Sequence, residues 1–132
     1  MADLYTKLHG TTADRFKIGL KNQRVTLSGS TTNTATAELL DRDELKYTAE
    51  STVFFTAYII GQGTNVAAYE IKGCYLQGTT TISGYVTNTY VDTANFTEPT
   101  INFDSLGEMT IVCTGINADI INWTAVIDFV SI

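Results

Sequence analysis

The sequence predicts an all-β protein: an antiparallel β-sandwich, jelly-roll-like, of about eight to ten short strands behind a short N-terminal arm. Three observations predict it. Ile121, Trp123, Ala125, Ile127 and Phe129 place apolar side chains at every second position around the only tryptophan, so a pleated strand sets them all on one face. Threonine is the commonest residue, and 17% of residues are charged against 44% hydrophobic, a balance suited to half-wetted pleated surfaces. Short apolar runs are separated by Gly, Asn, Asp and Ser signals at a spacing of roughly 8–12 residues. A chain of 132 residues makes one domain with one core. We divide it into an arm, residues 1–15, and a single sandwich domain, residues 16–132.

The arm is weakly patterned around His9-Gly10-Thr11-Thr12 and is expected to order only against a partner. Phe16, Ile18 and Leu20, the turn Lys21-Asn22-Gln23, and then Val25 and Leu27 read as a hairpin. Ser28 to Asn33 reads as a polar connector. Ala35 to Glu44 has helix-forming residues, but Thr36 and Glu38 alternate with Ala37 and Leu39, which favours a strand to about Leu40. Asp41-Arg42-Asp43-Glu44 is a charged turn, and Leu45 and Tyr47 begin another extended piece. Thr52 to Ile60 is the most apolar stretch, with Val53, Phe55, Ala57 and Ile59 on one face and Phe54, Thr56, Tyr58 and Ile60 on the other. Apolar residues on both faces predict a central strand, or one that touches another subunit.

Gly61-Gln62-Gly63 reads as a turn, followed by a long strand from Val66 to Leu76, bent if Gly73 marks a bulge. A strand from Thr79 to Tyr90 precedes an irregular loop, 91–98, closed by Pro99. Ile101 and Phe103 form a short strand, and Asp104 to Gly107 turns into Met109, Ile111 and Cys113. Gly115 to Asp119 is the last turn before the tryptophan strand.

A net charge of −6, with eight scattered basic residues, argues against a nucleic-acid partner. Met1 to Tyr5 lacks the basic start and apolar core of a secretory signal, and no apolar run approaches membrane-spanning length. Cys74 and Cys113 are therefore expected as reduced core thiols. The sequons at Asn95 and Asn122 read as coincidences for the same reason.

No catalytic, metal or cofactor site is predicted, and the chain reads as a non-enzyme. His9 is the only histidine, so no triad base stands near a nucleophile, and no phosphate-cradling glycine loop exists. Asp41, Asp43 and Glu44 have oxygen ligands for calcium but read as an ordinary solvated turn. Glu38 and Asp128 would serve as a glycosidase pair only if the fold brought them together. The aromatics are the better binding candidates: Tyr58, Tyr69 and Tyr90, with Tyr75 and Tyr85 nearby, either stack on sugars or sit at core edges with wet hydroxyls. Phe54, Tyr58 and Ile60 are candidates for an oligomer contact or for docking on a larger assembly.

From about Thr31 onward the chain resembles a β-domain recurring in tailed-bacteriophage virion proteins, in distal tail fibres and small particle-surface proteins. The matching pieces are Thr32-Asn33-Thr34-Ala35-Thr36-Ala37-Glu38-Leu39, Asp41 to Thr48, Ser51-Thr52-Val53-Phe54-Phe55, Ala67-Ala68-Tyr69-Glu70-Ile71-Lys72-Gly73, Val112-Cys113-Thr114-Gly115 and Trp123-Thr124-Ala125-Val126-Ile127. They are packing and turn motifs and carry no catalytic residues. The chain departs from the pattern in lacking a glycine at Asp41-Arg42-Asp43 and in having Tyr58-Ile59-Ile60 where basic residues often sit. With Met1 and a short arm directly ahead of the module, the resemblance implies a capsid decoration or cement protein on the virion surface, assembled in the host cytoplasm. Its implied partners are the major capsid protein and two further copies in a homotrimer. The alternative it implies is a tail-associated receptor-binding protein recognising a host-surface glycan through Tyr58, Tyr69 and Tyr90 and the loop from Asp92 to Glu98.

Overall fold

The computed structural model describes residues 22–39, 52–76, 81–103 and 109–131, and every regular element among them is a strand. In chain order these are β1 (Asn22–Thr32), β2 (Thr36–Leu39), β3 (Val53–Gln62), β4 (Val66–Tyr75), β5 (Ile82–Asp92), β6 (Thr100–Phe103), β7 (Met109–Thr114) and β8 (Ile120–Ser131). They form a five-stranded sheet in the order β1-β8-β3-β4-β5 and a three-stranded sheet in the order β2-β7-β6. All pairings are antiparallel. β3, β4 and β5 stay together as a meander, while the chain crosses between sheets after β1, β2, β5 and β7. The predicted sandwich is what forms.

The core lies between the sheets and follows the period-two pattern. β3 buries Val53, Phe55, Ala57 and Ile59, and β8 buries Ile121, Trp123, Ala125, Ile127 and Phe129. β7 faces them with Met109, Ile111 and Cys113, and β6 with Ile101 and Phe103. The Phe103 ring stacks on Tyr75 at 4.4 Å and tilts against Phe55 at 5.7 Å, tying β6 to β3 and β4.

Trp123 organises one end of this core. Its neighbours across both adjacent strands are glycines, Gly29 on β1 and Gly61 on β3. A Cβ on Gly61 would lie 2.4 Å from the indole, so only glycine admits the ring there. Phe96 and the indole meet at right angles with ring centres 5.8 Å apart, and the indole N–H donates to the Thr31 hydroxyl at 3.0 Å. Thr31 is buried accordingly.

These contacts explain two boundaries that differ from expectation. Ser28 to Thr32 belongs to β1 and is not a connector: its register against β8 places Gly29 beside Trp123 and Thr31 where it bonds the indole. Gly61 and Gln62 remain in β3, and the turn falls on Gly63–Asn65. Asn22 and Gln23, read as a turn, are also strand. The expected bulge at Gly73 is present as a register shift between Lys72 and Cys74. The expected arm, the strand at Phe16 to Leu20, the pieces from Asp41 to Tyr47 and the turn at Asp104 to Gly107 lie outside the described residues.

Asp119 holds the β3–β4 turn. Its carboxylate accepts the backbone N–H groups of Asn65 at 3.0 Å and Thr64 at 3.1 Å, and the Asn65 side-chain amide at 3.3 Å. The Asn65 and Thr64 N–H groups favour the anion and hold the Asp119 pKa below the usual carboxylate range. This stabilisation is complete above the ordinary aspartate pKa of about 3.9 and is lost as pH falls through the lower folded value. Thermal melts from neutral pH down to acid should therefore show a steeper loss of Tm in the native protein than in Asp119→Asn. Parallel curves would remove Asp119 from this role.

Candidate functional site: the outer face of the five-stranded sheet

Alternation that buries one side of β3 turns Phe54, Thr56, Tyr58 and Ile60 outward. On the flanking strands the outward residues include Val126, Asp128 and Val130 of β8 and Glu70, Lys72 and Cys74 of β4. Phe54 is 63% exposed, Ile60 52%, Val130 49% and Tyr58 42%. Among the described residues, no strand of the three-stranded sheet exposes a large hydrophobic side chain. Among the described strands the exposed large apolar side chains thus belong to the five-stranded sheet. Such a patch marks a contact surface in preference to a solvated one.

At one end, Phe54 stands directly opposite Val130 on β8 and Cys74 on β4. A cavity of about 410 Å³ opens beside them, with Gly73, Gly84 and Ser83 at its β4–β5 side and Lys72 and Asp128 at its polar side. Gly84 has φ of 65° and an ideal Cβ there would meet nothing, so the β5 side of the cavity stays open. Next along the face, Arg24 grips Asp128 through two hydrogen bonds of 2.7 and 3.0 Å. The Arg24 guanidinium lowers the Asp128 pKa, and the pair removes one carboxylate from the free surface.

Further along, Tyr58 lies across from Glu70, and Glu70 across from Asn88 of β5. Glu70 Oε1 accepts the Tyr90 hydroxyl at 3.2 Å and the Asn88 amide at 3.4 Å, with Lys72 Nζ at 3.9 Å. The hydrogen bond to Glu70, then its charge, raises the Tyr90 pKa. The result is a polar cluster flanked by exposed tyrosines.

The structure brings Phe54, Tyr58 and Ile60 together in one exposed row, and sets Tyr58 and Tyr90 on the same face. It does not keep Tyr69 with them. Tyr69 shares the parity of Ala67 and Ile71, points into the sandwich and is 2% exposed, so it belongs to the core and not to a glycan-contact surface. Its hydroxyl has no partner among the described residues, and burial pushes its pKa up to about 12. Tyr85 lies at a core edge and receives the Ile101 N–H at 3.1 Å. Val91 and Asp92, expected in the loop, end β5, and Asp92 accepts the N–H groups of Ala94 and Phe96, which seats Phe96 on Trp123.

Glu38 and Asp128 lie on different sheets and both face outward, so they form no carboxylate pair. Asp41, Asp43 and Glu44 lie outside the described residues. No three His, Cys, Asp or Glu side chains cluster as metal ligands among the described residues. Both cysteines are free: Cys113 is buried, which raises its pKa to about 12, while Cys74 is half-exposed beside the Phe54 cavity. Val130, Glu70 and Asn88 were not singled out from sequence, and Cys74, expected as a core thiol, is half-exposed on this outer face instead. The parity of β8 already pointed Val130 outward, but Glu70 and Asn88 needed the sheet register.

The fold and its exposed face define an antiparallel β-sandwich with one apolar, solvent-facing sheet. No protein-family model matches the chain, and no curated protein matches it. Among solved structures it is similar to the tailspike protein of Acinetobacter phage vB_ApiP_P1, at 10% identity and a TM-score of 0.35. The match covers 84% of this chain and 21% of the tailspike chain. A likeness this slight transfers no function.

Proposed function

We propose that this protein is a structural component of a tailed-bacteriophage virion, a decoration or cement protein that binds the head shell through the outer face of its five-stranded sheet. The observation that carries the adhesive part of this reading is the exposed row Phe54, Tyr58 and Ile60 with Val130 beside it. The phage context rests on the resemblance of the strand and turn motifs to virion β-domains. In this reading the protein works without turnover, on the virion surface, with the major capsid protein as partner. Weak contacts repeated over a symmetric shell add up through avidity.

The test is co-sedimentation of the purified protein with heads that lack it, followed by heat and osmotic challenge. Binding at hundreds of copies per particle with increased resistance supports the reading. Failure to bind, or equal resistance of coated and bare heads, refutes it.

The Tyr58, Glu70, Asn88 and Tyr90 cluster favours a second reading, a tail-associated protein recognising a host-surface glycan. Exposed rings offer stacking surfaces, while a carboxylate and an amide accept and donate to hydroxyls. Under this reading Tyr90→Ala removes binding on a glycan array while leaving the Tm unchanged. Absence of glycan binding by the native protein sinks it.

A further inference from the structure

The cavity beside Phe54 is made by a bulge. Lys72 pairs with Val86 and Cys74 with Ser83, so Gly84 and Tyr85 of β5 together stand against the single Gly73 of β4. Gly84, at φ 65°, takes the left-handed conformation with which a glycine opens such a bulge. Neither glycine carries a side chain to fill the space, and Phe55, an inward residue of β3, lines it. Bulges recur beside functional sites because they re-aim side chains and part the strands.

At about 410 Å³, with Phe54, Phe55 and Val130 as apolar walls, the cavity has the size and character of a small-molecule site. Two charged residues line it, Lys72 and Asp128, and they are unequally engaged. Both Asp128 oxygens already accept from Arg24, at 2.7 and 3.0 Å. Lys72 has only Glu70, 3.9 Å away, whose Oε1 also accepts from Tyr90 and Asn88. With the Lys72 side chain 54% exposed, that ion pair holds the ammonium weakly. Lys72 is thus the charge at this site able to turn to a ligand.

We propose that this cavity binds a small apolar monocarboxylate, its ring or branched chain against Phe54 and Val130 and its carboxylate on Lys72. The net charge of −6 does not oppose an anion here. Among the described residues, the acids outside this face are Glu38, Asp92, Glu98 and Asp119. Asp92 pairs with Ala67, at the other end of β4 from Cys74, and Asp119 precedes β8, whose far end holds Val130. At about 3.3 Å per residue both lie roughly 20 Å or more from the cavity, beyond a screening length of about 8 Å. Glu38 belongs to the opposite sheet, and Glu98 to the loop leading into it. The proposal goes beyond the phage reading and does not depend on it.

Cys74 supplies the readout, since it lines the cavity while Cys113 is buried. Its rate of alkylation by iodoacetamide, followed by mass spectrometry on the native chain, is measured with phenylacetate, with the neutral phenylacetamide, and with acetate. Phenylacetate should slow the reaction saturably, with half-effect at about 1 mM, as suits a ligand of this size. Phenylacetamide should need about tenfold more, the margin of one charge-assisted hydrogen bond at a partly exposed site, and acetate should have no effect. Lys72→Met, which keeps the apolar stem, should make acid and amide equal. The acid–amide comparison needs only the native chain, so it decides the matter even where the variant fails to fold. Four results would each overturn the proposal: a native Cys74 inert to the reagent alone, no slowing by phenylacetate up to about 10 mM, acetate or the amide acting as well as phenylacetate, or a preference for the acid that persists in Lys72→Met.

Discussion

Trp123→Ala is expected to lower the unfolding free energy by about 4 kcal/mol, within the range for removing a large buried aromatic. The indole is 1% exposed, and its removal opens a cavity among Ile121, Phe96 and the two glycine-bearing strands. Glycines at 29 and 61 have no side chains to swing inward, so the space has little means of collapse. The buried Thr31 hydroxyl loses its donor as well, which adds to the cost. Since domains of this size are stable by only about 5–15 kcal/mol, the variant should sit near the edge of folding at ambient temperature. Urea denaturation of both proteins measures this. A loss below about 1 kcal/mol would mean that the cavity collapses and that Trp123 does not organise the core.

Under the proposed decoration role, the double variant Phe54→Asp/Ile60→Asp is expected to reduce shell binding at least about 100-fold while moving stability little. Both side chains face water, so replacing them removes little buried area, and surface changes usually stay within about 0.5 kcal/mol. At an interface the same substitutions bury two carboxylates without partners, at several kcal/mol in all. On a shell the loss at each copy is compounded across repeated contacts. Co-sedimentation with heads, beside a thermal melt, separates the two effects. Undiminished binding by a folded double variant would exclude this face from the contact.

Much of the fold was legible because burial on one side of a strand imposes a period of two on its residues. β3, β4, β7 and β8 show it openly, and the same period divided β3 into a core face and the Phe54, Tyr58 and Ile60 face. β1 was harder. Gly29 and Thr31 occupy inward positions where an apolar residue would signal a strand, and both are there for the indole of a strand some ninety residues away. Gly61 misled in the same way, since a glycine facing a tryptophan looks in sequence like a turn residue. Tyr69 was assigned by residue type when the parity of Ala67 and Ile71 already placed it inside. The Glu70, Asn88 and Tyr90 cluster was not legible, because it depends on the pairing of β4 with β5 and on the bulges that shift it.

The position of β8 bears on how the molecule comes into being. It lies between β1 and β3, which have no lateral hydrogen bonds to each other, so among the described residues it is the bridge that joins β1 to the rest of that sheet. A growing polypeptide that has not yet reached Ile120 leaves β1 without β8, its in-layer partner among the described residues. Completion of this fold therefore waits on synthesis of residues 120–131, and translation stalled before them yields a product whose β1 lacks the strand it pairs with.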